Sequence, residues 1–428
     1  MTDRPVASVS AFWARHSTLL ILLSITLVAY IAAISRVQAL PWAIAALLSA
    51  TLLTGIWLPG WLVRRLSVYR QGPARATEGE TIHLAVEVEN CGLLPRFMVE
   101  LIDHLPFLQP GQAANSRGAQ KLGLLAYVPG GSRRRFELAL RCEQRGLYQL
   151  GPVGLASSFP LGLTEARQVR AGSEQMLTIY PAVFPIVELP LHGSPSQIHR
   201  GSYLLPENAG SAEFSGLREY RRGDNPRHVH WPTTARLNQL MIKEFEPLAS
   251  ACLYLVLDQA RDANVGQGRL ASFEYAVRIA ASMAKFACAN NIPTRLLGEG
   301  RAPLYQPAGS GAGHYQQLLD ECAVVTADGA TPYARVLHKV AATCQRGETV
   351  VLFISEPKAR LAETLKAVAL LRAAGVNVLA MVFARKTFGK ISQAYDDSTA
   401  EAMAGLLDLG ATCLEVKAGA DLLRLFNA

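Results

Sequence analysis

A chain of 428 residues is long enough for roughly two or three domains, each with its own core, which excludes a single small module. Half of its residues are hydrophobic and mean hydropathy is positive, so an entirely soluble chain is disfavoured and part of the sequence is expected in lipid. The formal net charge of +8 suits a membrane surface, an acidic partner or nucleic acid, and by itself selects none of them.

Residues 17–35 form an apolar run without a charge, long enough to cross a bilayer as a helix. The run is long for a signal peptide, and a second apolar segment, residues 37–63, follows after only Arg36. A helical hairpin turning near Pro41 is the expectation. Arg4 and Arg15 precede the first span, and Arg64, Arg65, Arg70 and Arg75 follow the second. Positive-inside therefore places both ends, and the soluble portion, in the cytoplasm. Trp42, Trp57 and Trp61 sit where interfacial anchors would.

From residue 68 to 189 the period changes to two. Ile82, Leu84, Val86 and Val88 alternate with polar residues, as do Phe136, Leu138, Leu140 and Cys142, with glycine and proline at short intervals. This spacing predicts a small antiparallel β-sandwich. The run Arg133-Arg134-Arg135 suits phosphate or anionic lipid, but such runs are more often a solvated strand edge.

Residues 213–236 are unlike their surroundings, with five arginines, two histidines, Tyr220 and Trp231 around the turn signals Gly223-Asp224 and Asn225-Pro226. Two readings suit this stretch: arginines paired to carboxylates in a docked crossover, or a recognition surface of arginine forks and aromatic anchors. Residues 240–246 alternate as a strand.

From residue 251 apolar runs alternate with helical periodicity. Strands are predicted at 251–257, 349–354, 376–383 and 412–416. A helix follows the first strand, with Leu270, Phe273, Val277, Ala280, Met283, Ala284 and Ala287 on one face, and further helices lie near 314–325, 333–345, 358–374 and 398–408. Such alternation gives a doubly wound parallel sheet with its ligand site beyond the carboxyl ends of the strands. Asp258, Gln259, Arg261, Asp262, Thr331, Ser355 and Glu356 are expected there. Their oxygens suit Mg²⁺ with several waters; alternatively, Asp258 caps a turn and Thr331 is a helix N-cap.

The loop Gly309-Ser310-Gly311-Ala312-Gly313 lacks the Lys-Ser/Thr of a phosphate loop, and no apolar strand is predicted beside it. A hydrolase using His228 or His230 as base has no recognisable nucleophile. The seven cysteines are scattered without a CxxC pair and are read as buried hydrophobes in a reducing compartment.

The signature Arg218-x-Tyr220, Gly223-Asp224, Arg227, His230-Trp231, Ala235-Arg236 and Met241-x-Lys243-Glu244-Phe245-Glu246 resembles that of the bacterial family catalogued as domain of unknown function 58. Upstream, Arg145-Gly146-x-Tyr148-x-Leu150-Gly151-Pro152 and Pro160-Leu161-Gly162-Leu163 are similar to the family's other recurring pattern. The resemblance implies an inner-membrane protein with a multidomain layout: a hairpin (1–66), an immunoglobulin-like sandwich (67–190), the signature and connecting segment (191–250), and a von Willebrand factor A-like domain (251–428). It also implies a MoxR-type AAA+ ATPase as partner, often alongside a transglutaminase-like membrane protein. Departures stand at the metal position, where Ala260 and Asp262 replace the serines of Asp-x-Ser-x-Ser, leaving Asp258, Asp262 and Thr331 as a degenerate Mg²⁺ site with Glu356 near the later aspartate position. Pro232 departs from the family's basic residue after the tryptophan.

The expectation is a non-enzymatic, membrane-anchored cytoplasmic adaptor without an obligatory cofactor. Arg218, Tyr220, Asp224, Arg227, His230, Trp231 and Arg236 are its partner-binding or interdomain residues. The alternatives are a cryptic hydrolase and a binder of anionic lipid or nucleic acid, with nucleic acid the less favoured.

Overall fold

The computed structural model describes residues 7–36, 39–105, 107, 120–169, 172–187, 189, 213–220, 229–237, 239–246, 252–389 and 397–427, without the side chains of 7–16, 36, 120, 213–216, 218 and 243–246. The chain divides into two compact units, Met1–Tyr180 and Pro181–Ala428.

The first unit begins with helices α1 (Ala7–Arg36) and α2 (Ala39–Leu62), packed side by side. Both are long and apolar enough to cross a membrane. Ile21, Leu27, Val28, Leu47 and Leu53 point outward, whereas a core helix of a soluble protein would bury them. Tyr30 Oη and Ser49 Oγ, 2.9 Å apart, tie the two helices together.

Pro59 lies inside α2. Proline has no N–H, so the carbonyl of Gly55, four residues earlier, loses its helical donor. Thr164 supplies the replacement, its Oγ1 donating to Gly55 O at 2.8 Å. Gly55 is also where Leu163 presses closest, since a Cβ there would lie 2.6 Å from Leu163 Cδ1. A helix of membrane-spanning character is thereby fastened to the β-rich part of its own unit.

That part comprises β1 (Leu66–Gln71), β2 (Arg75–Thr77), β3 (Thr81–Asn90), β4 (Arg96–Asp103), β5 (Gln120–Val128), β6 (Arg133–Arg141), β7 (Gly146–Leu150), β8 (Gly154–Ser157), β9 (Ala166–Val169) and β10 (Gln175–Tyr180). Three sheets form, in the orders β1-β3-β6, β5-β4-β8-β9 and β2-β10-β7. Val68, Val86 and Val88 of the first meet Val99, Leu101 and Leu155 of the second in one core. Ile82, Leu84, Leu150, Leu177 and Ile179 build the other with Phe107. Period-two alternation puts these residues on one face and sends their neighbours to solvent. The expectation of purely antiparallel pairing needs one correction: β10 pairs with β2 in parallel. Arg70 on β1 and Asp103 at the end of β4 form a buried ion pair between strands of different sheets.

The second unit opens with residues 181–189, which the sequence reading grouped with the sandwich. Ile186 and Leu189 instead enter the core of this unit. Phe184 N donates to Ser282 Oγ at 3.1 Å, and Asn427 holds Pro185 and Val187 through its side chain. A small antiparallel pair follows, β11 (Glu213–Glu219) with β12 (Met241–Glu246), and a short helix α3 (Trp231–Leu237) lies between them in sequence.

The large sheet contains β13 (Leu253–Leu257), β14 (Thr294–Glu299), β15 (Pro303–Gly309), β16 (Thr349–Ile354), β17 (Asn377–Phe383) and β18 (Thr412–Val416). Their order is β15-β14-β13-β16-β17-β18, and every neighbouring pair is parallel except β14 with β15. The connections run through α4 (Ser272–Ala289), α5 (Gly311–Val324), α6 (Tyr333–Ala341), α7 (Lys358–Ala373), α8 (Arg385–Phe388) and α9 (Thr399–Asp408), and α10 (Leu422–Phe426) ends the chain. Leu253, Leu255 and Leu257 face α4 on one side, while Tyr254 and Val256 face α6 and α7 on the other. Burial on both faces is why these strands read as unbroken apolar runs.

Two details depart from expectation. Leu270 is exposed in a 3₁₀ turn ahead of α4. A strand, β15, does abut the glycine loop at 309–313. Gly309 is small there because His314 needs the space: a Cβ at Gly309 would stand 2.6 Å from the imidazole, whose Nε2 lies 2.8 Å from Thr294 O.

Candidate functional site

Two places carry the polar residues singled out in the sequence, and both lie in the second unit. The first is the carboxyl edge of the large sheet. Parallel pairing of β13 with β16 sets Asp258 and Glu356 just beyond the ends of adjacent strands. A bridge between Ala260 and Gly329, with Arg261 N donating to Gly329 O and Gly329 N to Gln259 O, both at 2.9 Å, brings the approach to α6 to the same edge. Gly329 allows that contact, since a Cβ would lie 2.5 Å from Glu299 O. Thr331 therefore arrives beside the strand ends as expected, but Pro332, not Thr331, is the N-cap of α6.

Asp258 and Glu356 are 3% and 1% exposed. Asp258 Oδ1 accepts from Ala260 N at 3.0 Å in an Asx turn, and Glu356 Oε2 accepts from Thr364 Oγ1. The other oxygen of each, Asp258 Oδ2 and Glu356 Oε1, is buried without a hydrogen-bond partner. Burial first, and the Glu356 carboxylate second, push Asp258 well above the ordinary carboxylate range. Burial likewise raises Glu356, against the opposing pull of Thr364 and Arg360. The surrounding frame is tightly tied. Asn264 Nδ2 donates to Asp258 O and Ala260 O, each at 2.9 Å, and buried Arg385 donates to Ala263 O at 2.6 Å and to Ser355 O. Tyr333 Oη donates to Val256 O at 2.6 Å and accepts from Phe353 N at 3.2 Å, closing the floor of the site.

Asp262 lies close enough to raise both carboxylates further, but it is itself engaged. Arg360, in the first turn of α7, grips it with both guanidinium arms, Nη1 to Oδ1 at 2.9 Å and Nη2 to Oδ2. These residues do not fit a divalent cation. Mg²⁺ keeps several waters and wants hard oxygens free to coordinate. Here the two orphaned oxygens are out of solvent, Ala260 offers no hydroxyl, and Asp262 is occupied by a fixed cation. Among the described residues no three His, Cys, Asp or Glu side chains are grouped to hold a metal ion.

The second place is the signature segment. His230 Nδ1 lies 2.8 Å from Thr233 Oγ1 and accepts from Thr233 N at 3.3 Å, so the imidazole caps the start of α3. Thr234 Oγ1 accepts from Met241 N at 3.0 Å and holds α3 to β12. These bonds leave Trp231 67% exposed, with Tyr220, Arg236, Leu237 and Leu240 also exposed. Asp224, Arg227, His228 and the side chain of Arg218 lie outside the described residues. Sequence reasoning missed the roles of Arg360, Thr364 and Arg385, whose partners are distant in the chain; a lone basic residue on a helix carries no signal of that pairing.

Arg133 and Arg135, in the first unit, stand on exposed β6 and face Glu89 at 3.2 Å and Glu87 at 3.8 Å across the strand pair. That is the solvated-strand arrangement.

Residues 216–394, which hold part of the signature and most of the large sheet, match the family model described as protein of unknown function DUF58. The match covers less than half of the chain. Uncharacterized protein YeaD of Bacillus subtilis is 32% identical to it over 126 residues, which span 29% of each chain and so less than a third of that relative's length. Among solved structures, a CARDB domain from Pyrococcus furiosus is 11% identical, covering 27% of this chain and 91% of its own, with a TM-score of 0.19. A β-glucosidase from Listeria innocua is 14% identical, covering 27% and 16%, with a TM-score of 0.17. Likeness at that level carries no argument about fold or function.

Proposed function

We propose that this DUF58 protein is a membrane-anchored adaptor that presents its signature segment to a MoxR-type AAA+ ATPase in the assembly or maturation of client proteins. The observation that carries the reading is the face around Trp231. A tryptophan two-thirds exposed, in a segment that also exposes Tyr220, Arg236, Leu237 and Leu240, stands on a scaffold whose own hydrogen bonds are internal. Tryptophan, tyrosine and arginine dominate the energetics of protein interfaces. His230 is committed to capping α3, which supports a non-enzymatic reading over a histidine-based hydrolase.

The sheet order, with an antiparallel edge strand and carboxylates beyond the ends of the central strands, supports a von Willebrand factor A-like assignment in which a divalent ion plays no part. Paired sheets around a shared core support an immunoglobulin-like assignment for the β-rich part of the first unit. The arginines flanking the two apolar helices support a bacterial inner-membrane location with a cytoplasmic soluble portion.

The test is co-purification from native membranes. Trp231→Ala and Arg236→Glu should each reduce recovery of the ATPase about tenfold or more, as loss of an interface anchor does, while thermal unfolding of the chain stays unchanged. Full recovery with both variants, correctly folded, would remove this face from the interaction.

A further inference from the structure

The β-rich part of the first unit is bound to α2 well before that helix ends. Thr164 and Leu163 meet Gly55. At 1.5 Å per residue, Gly55 lies roughly 9 Å along the axis from Trp61. Trp42 and Trp61 are separated by roughly 28 Å on the same measure, close to the ~30 Å thickness of a hydrocarbon core. If these tryptophans mark the two interfaces, the loop at 158–164 touches α2 below the headgroup level. That loop is apolar and outward-facing, with Phe159 38% and Leu161 49% exposed.

A second loop stands at the same end. Cys91 N donates to Arg65 O at 2.9 Å, which fixes the β3–β4 connection to the residues just past α2. Leu93 and Leu94 in this loop are 96% and 59% exposed. Two adjacent leucines open to solvent at a loop tip form an apolar projection that burial would stabilise. Around them the charge is basic. Arg64 and Arg65 are exposed at the end of α2, and Arg96 stacks on Trp61 with its guanidinium carbon 3.8 Å from the ring centroid. Arg96 Nε and Nη1 are buried without a hydrogen-bond partner. Arg133 and Arg134 begin β6 at this same end, opposite Glu89, which takes up Arg133.

We propose that the sandwich is seated in the membrane: the loops at 91–95 and 158–164 enter the interface of an anionic phospholipid bilayer, with the exposed Arg64 and Arg65 at the level of the lipid phosphates and buried Arg96 holding the β3–β4 end against Trp61. The occupant is lipid and not a second protein, because the apolar surface is continuous with a helix of membrane-spanning character and is ringed by arginines at the height of Trp61. Amphipathic elements seat themselves in this way, with apolar side chains about 5–10 Å into the headgroup boundary and cations on the anionic surface. This inference rests on α1 and α2 spanning the bilayer, so its test must report on that separately.

The full chain, in a background with Cys91→Ser, Cys344→Ala and Cys413→Ala, would be reconstituted in vesicles of phosphatidylcholine and phosphatidylglycerol with a nitroxide at one introduced cysteine. Depth is read from relative collision with oxygen and with a water-soluble nickel chelate. Leu53→Cys on the outward face of α2 reports the span, and Glu80→Cys, in the turn before β3 and so at the opposite end of the sandwich, reports water. Leu94→Cys and Leu161→Cys should show an oxygen-to-nickel ratio several-fold above that of Glu80→Cys. A lipid-like ratio at Leu53→Cys with water-like ratios at Leu94→Cys and Leu161→Cys overturns the seating and leaves the anchor intact. A water-like ratio at Leu53→Cys as well removes the spanning helix itself.

Discussion

Asp258 is the residue whose environment most contradicts its chemistry. A carboxylate at 3% exposure with one oxygen unpartnered is costly to ionise, and Glu356 beside it makes ionisation costlier. The consequence for stability has a definite sign. Below the pKa of the unfolded chain, both states hold the proton and Asp258 contributes nothing. As pH rises through that value, the unfolded chain releases a proton that the folded chain retains, so stability falls until the raised folded value is passed. Asp258→Asn keeps an acceptor for Ala260 N and never ionises. It should therefore unfold at higher temperature than the parent near neutral pH, by an equivalent of about 1–3 kcal/mol, and the gap should narrow toward about pH 4, the ordinary aspartate value. Thermal unfolding across pH checks this. In the same measurement Mg²⁺ and a chelator should leave the parent unchanged, because Arg360 already holds Asp262.

At the scale of elements, the joint between α2 and the β8–β9 loop is the sharpest case. Pro59 frees a carbonyl in an apolar setting and Thr164 satisfies it. Thr164→Val keeps the shape and removes the donor, and should cost about 1–3 kcal/mol, the price of an orphaned buried acceptor. Thermal unfolding of the full chain in detergent would read it, with Thr164→Ser recovering most of the loss. Much of the element layout was legible in advance. Both apolar helices announce themselves as long hydrophobic runs, and so do the strands β13, β16 and β17, which helices cover on both faces; β18, at the sheet edge, is legible only from its place in the alternation. The strands β14 and β15 did not. In β14, half-buried Arg295 interrupts the pattern, and β15 is an exposed edge carrying Pro303 and Pro307, which reads as loop. Asp258 and Glu356 were legible as strand-end residues. Their convergence with Arg360 was not, since Arg360 and Asp262 stand 98 residues apart and no local period encodes a contact of that range.

For the whole molecule, the unequal distribution of arginine around two apolar helices predicts orientation. A reporter fused after Ala428 should read cytoplasmic, and adding arginines between the spans should compete with that outcome. One feature of the β-rich part bears on how such a chain is made. Strand β2 pairs with β10, and Gln175 Nε2 donates to Gly72 O across 103 residues. Synthesis runs from the amino end, so the hairpin of α1 and α2 emerges long before β10 does. Until Tyr180 has been added, β2 and β7 lack the strand that lies between them, and their ladder groups stay open. Closing a loop of that length is slow compared with helix formation. The nascent chain therefore waits with unpaired strand edges, in the interval when unpaired edges most readily join a wrong neighbour. The last few residues of the sandwich, and not its core, set the length of that interval.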